Sequence, residues 1–276
     1  MSVTPIQPPI PKLKREAIVS ALKKGVRVDG RGFEDFRSIT IELNPVPRRS
    51  NGSALVKLGN TSVLVGVKIG IERPFPDRPS EGVLQVHAEF VPLASPSFEP
   101  GPPDENAVEV ARVIDRCLRE SKSIDLGELV IVPGRYSWSI YNDIYLLDHD
   151  GNVTDASTLA SMAALNVAKL PKLVSVENDQ VKVDYSTMDK PLPVKLNVVT
   201  VTVVKIGGYI LVDPSLDEEI LAEAKVTVGV DSNGRIVGIQ KSGGGLSVSE
   251  VRYTVDTAIK KGRELLMLLE KTLKTV

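Results

Sequence analysis

The sequence predicts an α/β (α+β) protein that uses one strands-then-helix layout twice, and three observations carry that prediction. From Ile39 to Leu147, apolar and polar residues alternate in short runs set off by Gly and Asn turns. This half closes in a small, apolar helix over Thr154 to Lys169. From Leu196 to Ser242 the alternation recurs, and again a helix follows, opening with Ser247-x-x-Glu250. Within the first half, one amphipathic helix stands between strand runs, announced by a proline-rich loop and Asp104.

Taken in order, residues 1–12 are rich in proline and read as an arm without its own core. Leu13 to Lys24 is a short helix, with Ile18, Ala21 and Leu22 apolar among lysines and Arg15, and Gly25 stops it. A turn-rich segment carrying Arg27, Arg31 and Arg37 leads to the strand at 38–43. After the Asn51-Gly52 turn, 53–59 and 61–71 form a hairpin through Gly59-Asn60. Residues 83–93 are a further strand, and 129–134 and 135–150 supply two more. Residues 186–195 hold Pro191 and Pro193 without periodicity and mark a boundary. The organisation expected is an N-terminal arm and helix over 1–30, a core domain over 31–185 and a C-terminal subdomain over 186–276. In that last part, hairpins turn at Gly207-Gly208 and Asn233-Gly234. A helix then carries a stripe of Val251, Val255, Ala258, Gly262, Leu265, Leu269 and Leu273.

The helix after Asp104 is the most informative stretch. At 100° per residue, Ala107, Val110, Ala111, Ile114, Cys117, Leu118 and Ser121 share the core face. Arg112, Arg116 and Arg119 fall opposite, within an arc of about 60°. A row of guanidiniums on a rigid rod suits repeated anions, because guanidinium pairs with phosphate in a two-pronged fork. The same row also reads as a solvated face, wired by Asp115 to Arg119 and by Arg116 to Glu120.

Composition narrows the classes. With 42% hydrophobic and 25% charged residues the chain is globular, and with a net charge of -1 any nucleic-acid site must be a local patch or be completed by a partner. One cysteine, Cys117, excludes an internal disulfide framework and a cysteine zinc site, and two histidines leave little for a histidine metal centre. No apolar run reaches about 18 residues, and the first residues lack the apolar core of a secretory signal. A soluble, cytoplasmic protein is expected.

Two further loops hold acidic groups. In Asp148 to Asp155, Asp155 is placed to cap the following helix and to repel an anion from its N-terminus. The run Asp213 to Glu219, opened by Asp-Pro, reads as a turn; alternatively its carboxylates pair on a divalent cation or as acid and base.

Four segments, GVRVDGRGFEDFRSI, GSALVKLGNTSVLVGV, FEPGPPDENAVEVARVIDRCLRESKSID and LDHDGNVTDASTLASMAAL, follow one another in an order that resembles the RNase PH family, over roughly residues 15–270. Within it the chain is most similar to the non-catalytic branch found in archaeal RNA exosomes. The resemblance implies an RNase PH-type fold and 3′-to-5′ phosphorolysis of RNA by the active members. Those members hold phosphate with a Gly-Thr-Arg segment at a helix N-terminus, which falls here on Asn152, Val153 and Thr154, without the arginine. Their paired aspartates fall on Asp213 and Glu219, and a further one on Lys225. Losing the arginine removes much of the stabilisation of a multiply charged transition state.

The resemblance therefore implies an inactive subunit with no cofactor of its own, phosphate and magnesium being used by a catalytic RNase PH-like partner. Three such heterodimers would close a hexameric ring with RNA-binding cap subunits, acting on single-stranded RNA and not at a membrane. Arg112 and Arg116 match family arginines near the RNA groove, and Arg119 is shared between RNA and Asp115. The alternatives are an exoribonuclease active in its own right through Asp213 and Glu219, and a ring subunit without RNA contact.

Overall fold

The computed structural model describes residues 10–177 and 180–275. The expected arm therefore lies almost wholly outside the described residues. The first helix, α1 (Lys12–Lys23), buries Ile18 and Leu22 and ends at Gly25, whose φ is +79°. Six strand-forming runs in the first half then appear where the alternation places them, though 130–132 and 136–148 are joined by a tight turn.

These strands are β1 (Ile39–Leu43), β2 (Gly52–Leu58), β3 (Thr61–Glu72), β4 (Val83–Phe90), β5 (Val130–Val132) and β6 (Tyr136–Asp148). They form one mixed sheet in the order β1-β2-β3-β6-β4, with β5 appended to β6. All its pairs are antiparallel except β4 with β6, where Val83 lies opposite Ser139 and Phe90 opposite Leu146. That parallel pair requires a crossover, which the helix α2 (Glu105–Glu120) supplies.

The second sheet runs β10-β9-β11-β12, fully antiparallel, from β9 (Val198–Ile206), β10 (Tyr209–Val212), β11 (Ala224–Asp231) and β12 (Ile236–Gly243). Helix α3 (Val153–Val167) lies between the sheets, packed on β2 and β3 on one side and β9 on the other. Its sequence explains the position: Ala156, Ala160, Ala163, Ala164, Ser157 and Ser161 are all buried, so small side chains let both sheets approach. Helix α5 (Val248–Leu273) covers β9 and β11, capped by Ser247 and Glu250 as the capping-box pattern predicts. Ala258, Leu265 and Leu269 are buried there, whereas Val251, at the helix start, is 46% exposed. Together these elements form the α/β architecture of two strand-and-helix units.

Two features differ from the sequence reading. Strands β7 (Lys169–Glu177) and β8 (Gln180–Pro191) pair with each other and, among the described residues, with no other strand. The expected boundary at 185/186 falls inside β8. The pattern is masked because, beyond the buried Leu170 and Pro171, most of the ribbon is solvated: Leu173, Val174, Val176 and Tyr185 stay exposed and do not alternate against a core. Register slips at Leu170/Pro171, Pro171/Lys172 and Leu173/Ser175 blur it further. The acidic run after Asp213 is not a bare turn either. It contains a short helix, α4 (Leu216–Leu221), with a capping box of Ser215 and Glu218.

Candidate functional site

Helix α2 begins as expected. The Asp104 carboxylate accepts the Ala107 amide at 2.8 Å, and Glu105 occupies the first turn. Its buried face is Ala107, Val110, Ala111, Val113, Ile114, Cys117 and Leu118. That face rests on β4 of the first sheet and β12 of the second, so the helix bridges the edges of both sheets. The arginines ride on its outside.

The row divides by chemistry. Arg112 and Arg116 are exposed, and neither takes a hydrogen bond or ion pair among the described residues; the expected Arg116–Glu120 pair is not formed. Arg119 is engaged. Its Nε donates to both Asp115 carboxylate oxygens, at 2.9 and 2.8 Å, and its Nη2 donates to the Leu84 carbonyl at 2.5 Å. It therefore ties α2 to β4 through Nε and Nη2. Two guanidiniums one helical turn apart are left free to meet anions.

The second region surrounds the α3 N-terminus. A small cavity of about 90 Å³ is lined by Thr154, Glu219, Lys225, Thr227, Gln240, Asn106, Glu109 and His149, with Phe90 and Phe98 at one side. Glu219 is 3.6 Å from Lys225, so the acid at the second position of the family pair is matched by a cation in the same wall. His149 stacks on Phe98 at 5.5 Å, and burial pushes its pKa down, which keeps the ring neutral.

Asp155 does not cap its helix, contrary to the expectation. Asn152, at φ +51°, holds the cap position without a side-chain bond to the helix. The Asp155 carboxylate instead turns into the joint between the sheets. Oδ2 accepts the Thr202 amide at 2.7 Å and the Asn152 amide nitrogen at 2.9 Å, and Oδ1 accepts the Thr202 hydroxyl at 2.9 Å. The donors on β9 outcompete the helix's own amides, because an N3 carboxylate facing the interior must be satisfied there. Burial raises its pKa to about 7, against the lowering effect of those bonds. A proton on Oδ1 has an acceptor in Thr202 Oγ1, whose hydrogen can turn to Thr227 Oγ1 at 2.8 Å.

A pH dependence follows. The folded pKa lies above the unfolded value near 3.8, so this group's stabilising contribution is full below pH 4 and is lost as pH rises through about 7. Asp155→Asn is expected to remove that slope. The difference in unfolding free energy between wild type and variant should change by on the order of 3 kcal/mol from pH 4 to pH 8. Denaturant titrations across this range measure it, and parallel curves would refute it.

Asp213, the first member of the family pair, is fully buried at φ +51°. Its Oδ1 accepts from Arg37 Nη2 at 2.8 Å and Asn152 Nδ2 at 2.7 Å. Its Oδ2 accepts from Arg31 Nη1 at 2.9 Å, Arg37 N at 2.8 Å and Arg37 Nε at 3.0 Å. Five donors saturate its lone pairs. Next to it, Arg27, 2% exposed, pairs with Glu218 of α4 and donates to the carbonyls of Val212 and Asp213 at 2.7 Å. Sequence reasoning noted these arginines without assigning them partners, since the pairing spans more than 170 residues of chain. Trp138 is a packing residue, 5% exposed in the core.

The mixed sheet and the antiparallel sheet share one interior helix, α3, and its N-terminal Asn152 and the post-strand Asp213 meet at their joint. The chain belongs to the 3′ exoribonuclease family, RNase PH: domain 1 of the family matches residues 35–171 and domain 2 matches residues 197–261. It is 50% identical over 273 residues to the exosome complex component Rrp42 of Sulfurisphaera tokodaii, covering 98% of each chain. It is 47% identical over 276 residues to the same component of Aeropyrum pernix, covering 99% of this chain and 100% of that one. Among solved structures it resembles a chain of the Archaeoglobus fulgidus exosome with RNA bound to the active site, with a TM-score of 0.84 and 44% identity over 92% of this chain and 97% of that one. A chain of an archaeal exosome core follows, with a TM-score of 0.81 and 40% identity over 94% and 96%.

Proposed function

We propose that this chain is a non-catalytic, structural and RNA-contacting subunit of a ring-shaped 3′-to-5′ phosphorolytic exoribonuclease, an exosome. It pairs with a catalytic RNase PH-like subunit, and three such pairs close a hexameric ring that carries RNA-binding cap subunits. Near-full-length identity to proteins named exosome component Rrp42 supports the assembly. The ring acts on single-stranded RNA in the cytoplasm; among the described residues no helix is long and apolar enough to cross a membrane. Phosphate and magnesium serve the catalytic partner, and this chain requires no cofactor of its own. The family division at 171 and 197 supports two subdomains.

The observation that carries the non-catalytic reading is the state of Asp213. A carboxylate that acts on substrate or holds a cation needs a free lone pair and access, and this one has neither. Thr154 stands where the active members place an arginine, and Lys225 neutralises Glu219. Arg112 and Arg116 then supply the chain's contribution, gripping the RNA backbone beside the partner's site without reading sequence.

The test is release of nucleoside diphosphates from single-stranded RNA with phosphate and Mg²⁺. The chain alone is expected to be silent, and its mixture with the catalytic partner faster than that partner alone. Product from the chain alone would overturn the reading and return Asp213 and Glu219 to candidacy as catalytic groups.

A further inference from the structure

Helix α2 meets the second sheet along β12, where Gln240 also bonds Glu109, and at Cys117 the approach is unusually close. Gly229 on β11 and Gly238 on β12 face each other across the strand pair, with a register shift directly after Gly229. The Cys117 sulfur sits over both: a Cβ built on Gly229 would stand 2.6 Å from Sγ and 3.1 Å from Val237 Cγ2, and one on Gly238 would stand 3.4 Å from Sγ. The first distance is below any real contact. Neither glycine has a positive φ, so what both positions need is clearance under the helix. Gly interior to a strand often marks such a close backbone approach.

The residue before that sulfur is Arg116. A narrow crevice between α2 and the β11–β12 hairpin is lined by Arg116 and Cys117 from the helix and by Gly229, Gly238, Ile239 and Gln240 from the strands. Arg116 therefore stands at the rim of the seam that the sulfur fills. Raising the helix off the sheet at this point displaces the Arg116 guanidinium outward. Cys117 itself has no chemistry to offer here, being buried with its thiol pushed up to about 11 by burial.

We infer that Gly229 and Gly238 are positioning residues for RNA contact: they form the seat on which Cys117 sets the height of α2 and thereby the placement of Arg116. The inference rests on the proposed RNA-contacting role of that arginine and adds where its placement comes from. The seat lies on the opposite half of the chain from the helix, so it also couples the C-terminal sheet to an RNA face carried by the N-terminal one.

The experiment uses the assembled ring with its catalytic partner and measures affinity for a single-stranded RNA as a function of salt. Gly229→Ala is expected to lower affinity about fivefold, the partial loss of one charge-assisted contact. Cys117→Ala combined with Gly229→Ala replaces the sulfur by a methyl group from the other side and is expected to restore affinity to within about twofold, as volume-conserving core swaps are tolerated best. On an Arg116→Ala background, Gly229→Ala should cost nothing further. An equal cost with and without Arg116 would mean the glycine is merely structural, and unchanged affinity in Gly229→Ala would equally sink the inference. If Gly229→Ala fails to assemble, the double variant decides: recovery of both assembly and affinity supports the seat, and assembly without affinity overturns it. Arg116→Ala alone reports on the proposed function separately, since an unchanged affinity there removes the RNA contact itself rather than its positioning.

Discussion

Replacing Arg112 and Arg116 together by alanine in the assembled ring is expected to weaken single-stranded RNA binding about 25-fold at about 0.1 M salt. It should also lower the slope of log affinity against log salt by about 1.4. The estimate comes from counterion release. Each phosphate neutralised on a single strand contributes about 0.7 to the slope, so two contacts contribute about 1.4, and at tenth-molar salt that is 10 to the power 1.4. Both guanidiniums are exposed and unpaired, so they meet RNA without first breaking an internal bond, and removing them orphans no partner. The folded state should be unaffected, with thermal stability within about 0.5 kcal/mol of wild type, as is usual for surface substitutions.

Arg119→Ala supplies the contrast. Its guanidinium is committed to Asp115 and to the Leu84 carbonyl, so its loss should cost about 1–3 kcal/mol of stability through the orphaned carbonyl. The salt slope should scarcely move. A slope unchanged in the Arg112/Arg116 double variant would leave a ring subunit without RNA contact as the reading. A slope reduced in Arg119→Ala would mean that RNA outcompetes Asp115 for that arginine.

How far these roles were legible from sequence depended on whether they were local. The α2 helix, its Asp104 cap, its buried face and the alternation of β2, β3, β6, β9 and β11 all rest on near neighbours in the chain, and the structure places them within a residue or two. The division of the arginine row was only half legible. The Asp115–Arg119 pair follows from i,i+4 spacing, but the Leu84 carbonyl that completes it belongs to β4 and comes from the crossover. The orientation of Asp155 was not legible, because the chain alone cannot say whether an N3 carboxylate meets its own helix or the Thr202 donors of another sheet. The β7–β8 ribbon carries little signal because, beyond Leu170 and Pro171, most of its apolar residues are exposed and need not alternate. The α4 helix did carry one, the Ser215 and Glu218 capping pair, which the neighbouring Asp-Pro turn signal concealed.

Asp213→Asn is expected to lower stability by about 3–5 kcal/mol, the cost of removing one partner from a buried ion pair. That corresponds to a fall in Tm of roughly 6–20 °C for a chain of this size. The carboxylate has no exposure, and the Arg31 and Arg37 side chains it neutralises are 12% and 8% exposed. As carboxylate partners those arginines would retain Asp29 at 2.7 Å and Asp150 at 3.6 Å, beside backbone carbonyls such as those of Asp35 and Asp150, and an amide nitrogen would face donors where an oxygen now accepts them. The sign of this effect separates the two readings of the residue. A carboxylate kept for catalysis is held in a site that is strained or incompletely satisfied, and neutralising it commonly stabilises the fold. A carboxylate that pins the 27–37 segment to β10 and to the α3 cap does the opposite. Thermal denaturation of wild type and variant is therefore as informative about function as an activity assay. A variant equal to or more stable than wild type would mean that the five donors are not what keeps Asp213 in this chain, and the case for a chain that contributes structure and arginines rather than catalytic acids would fail with it.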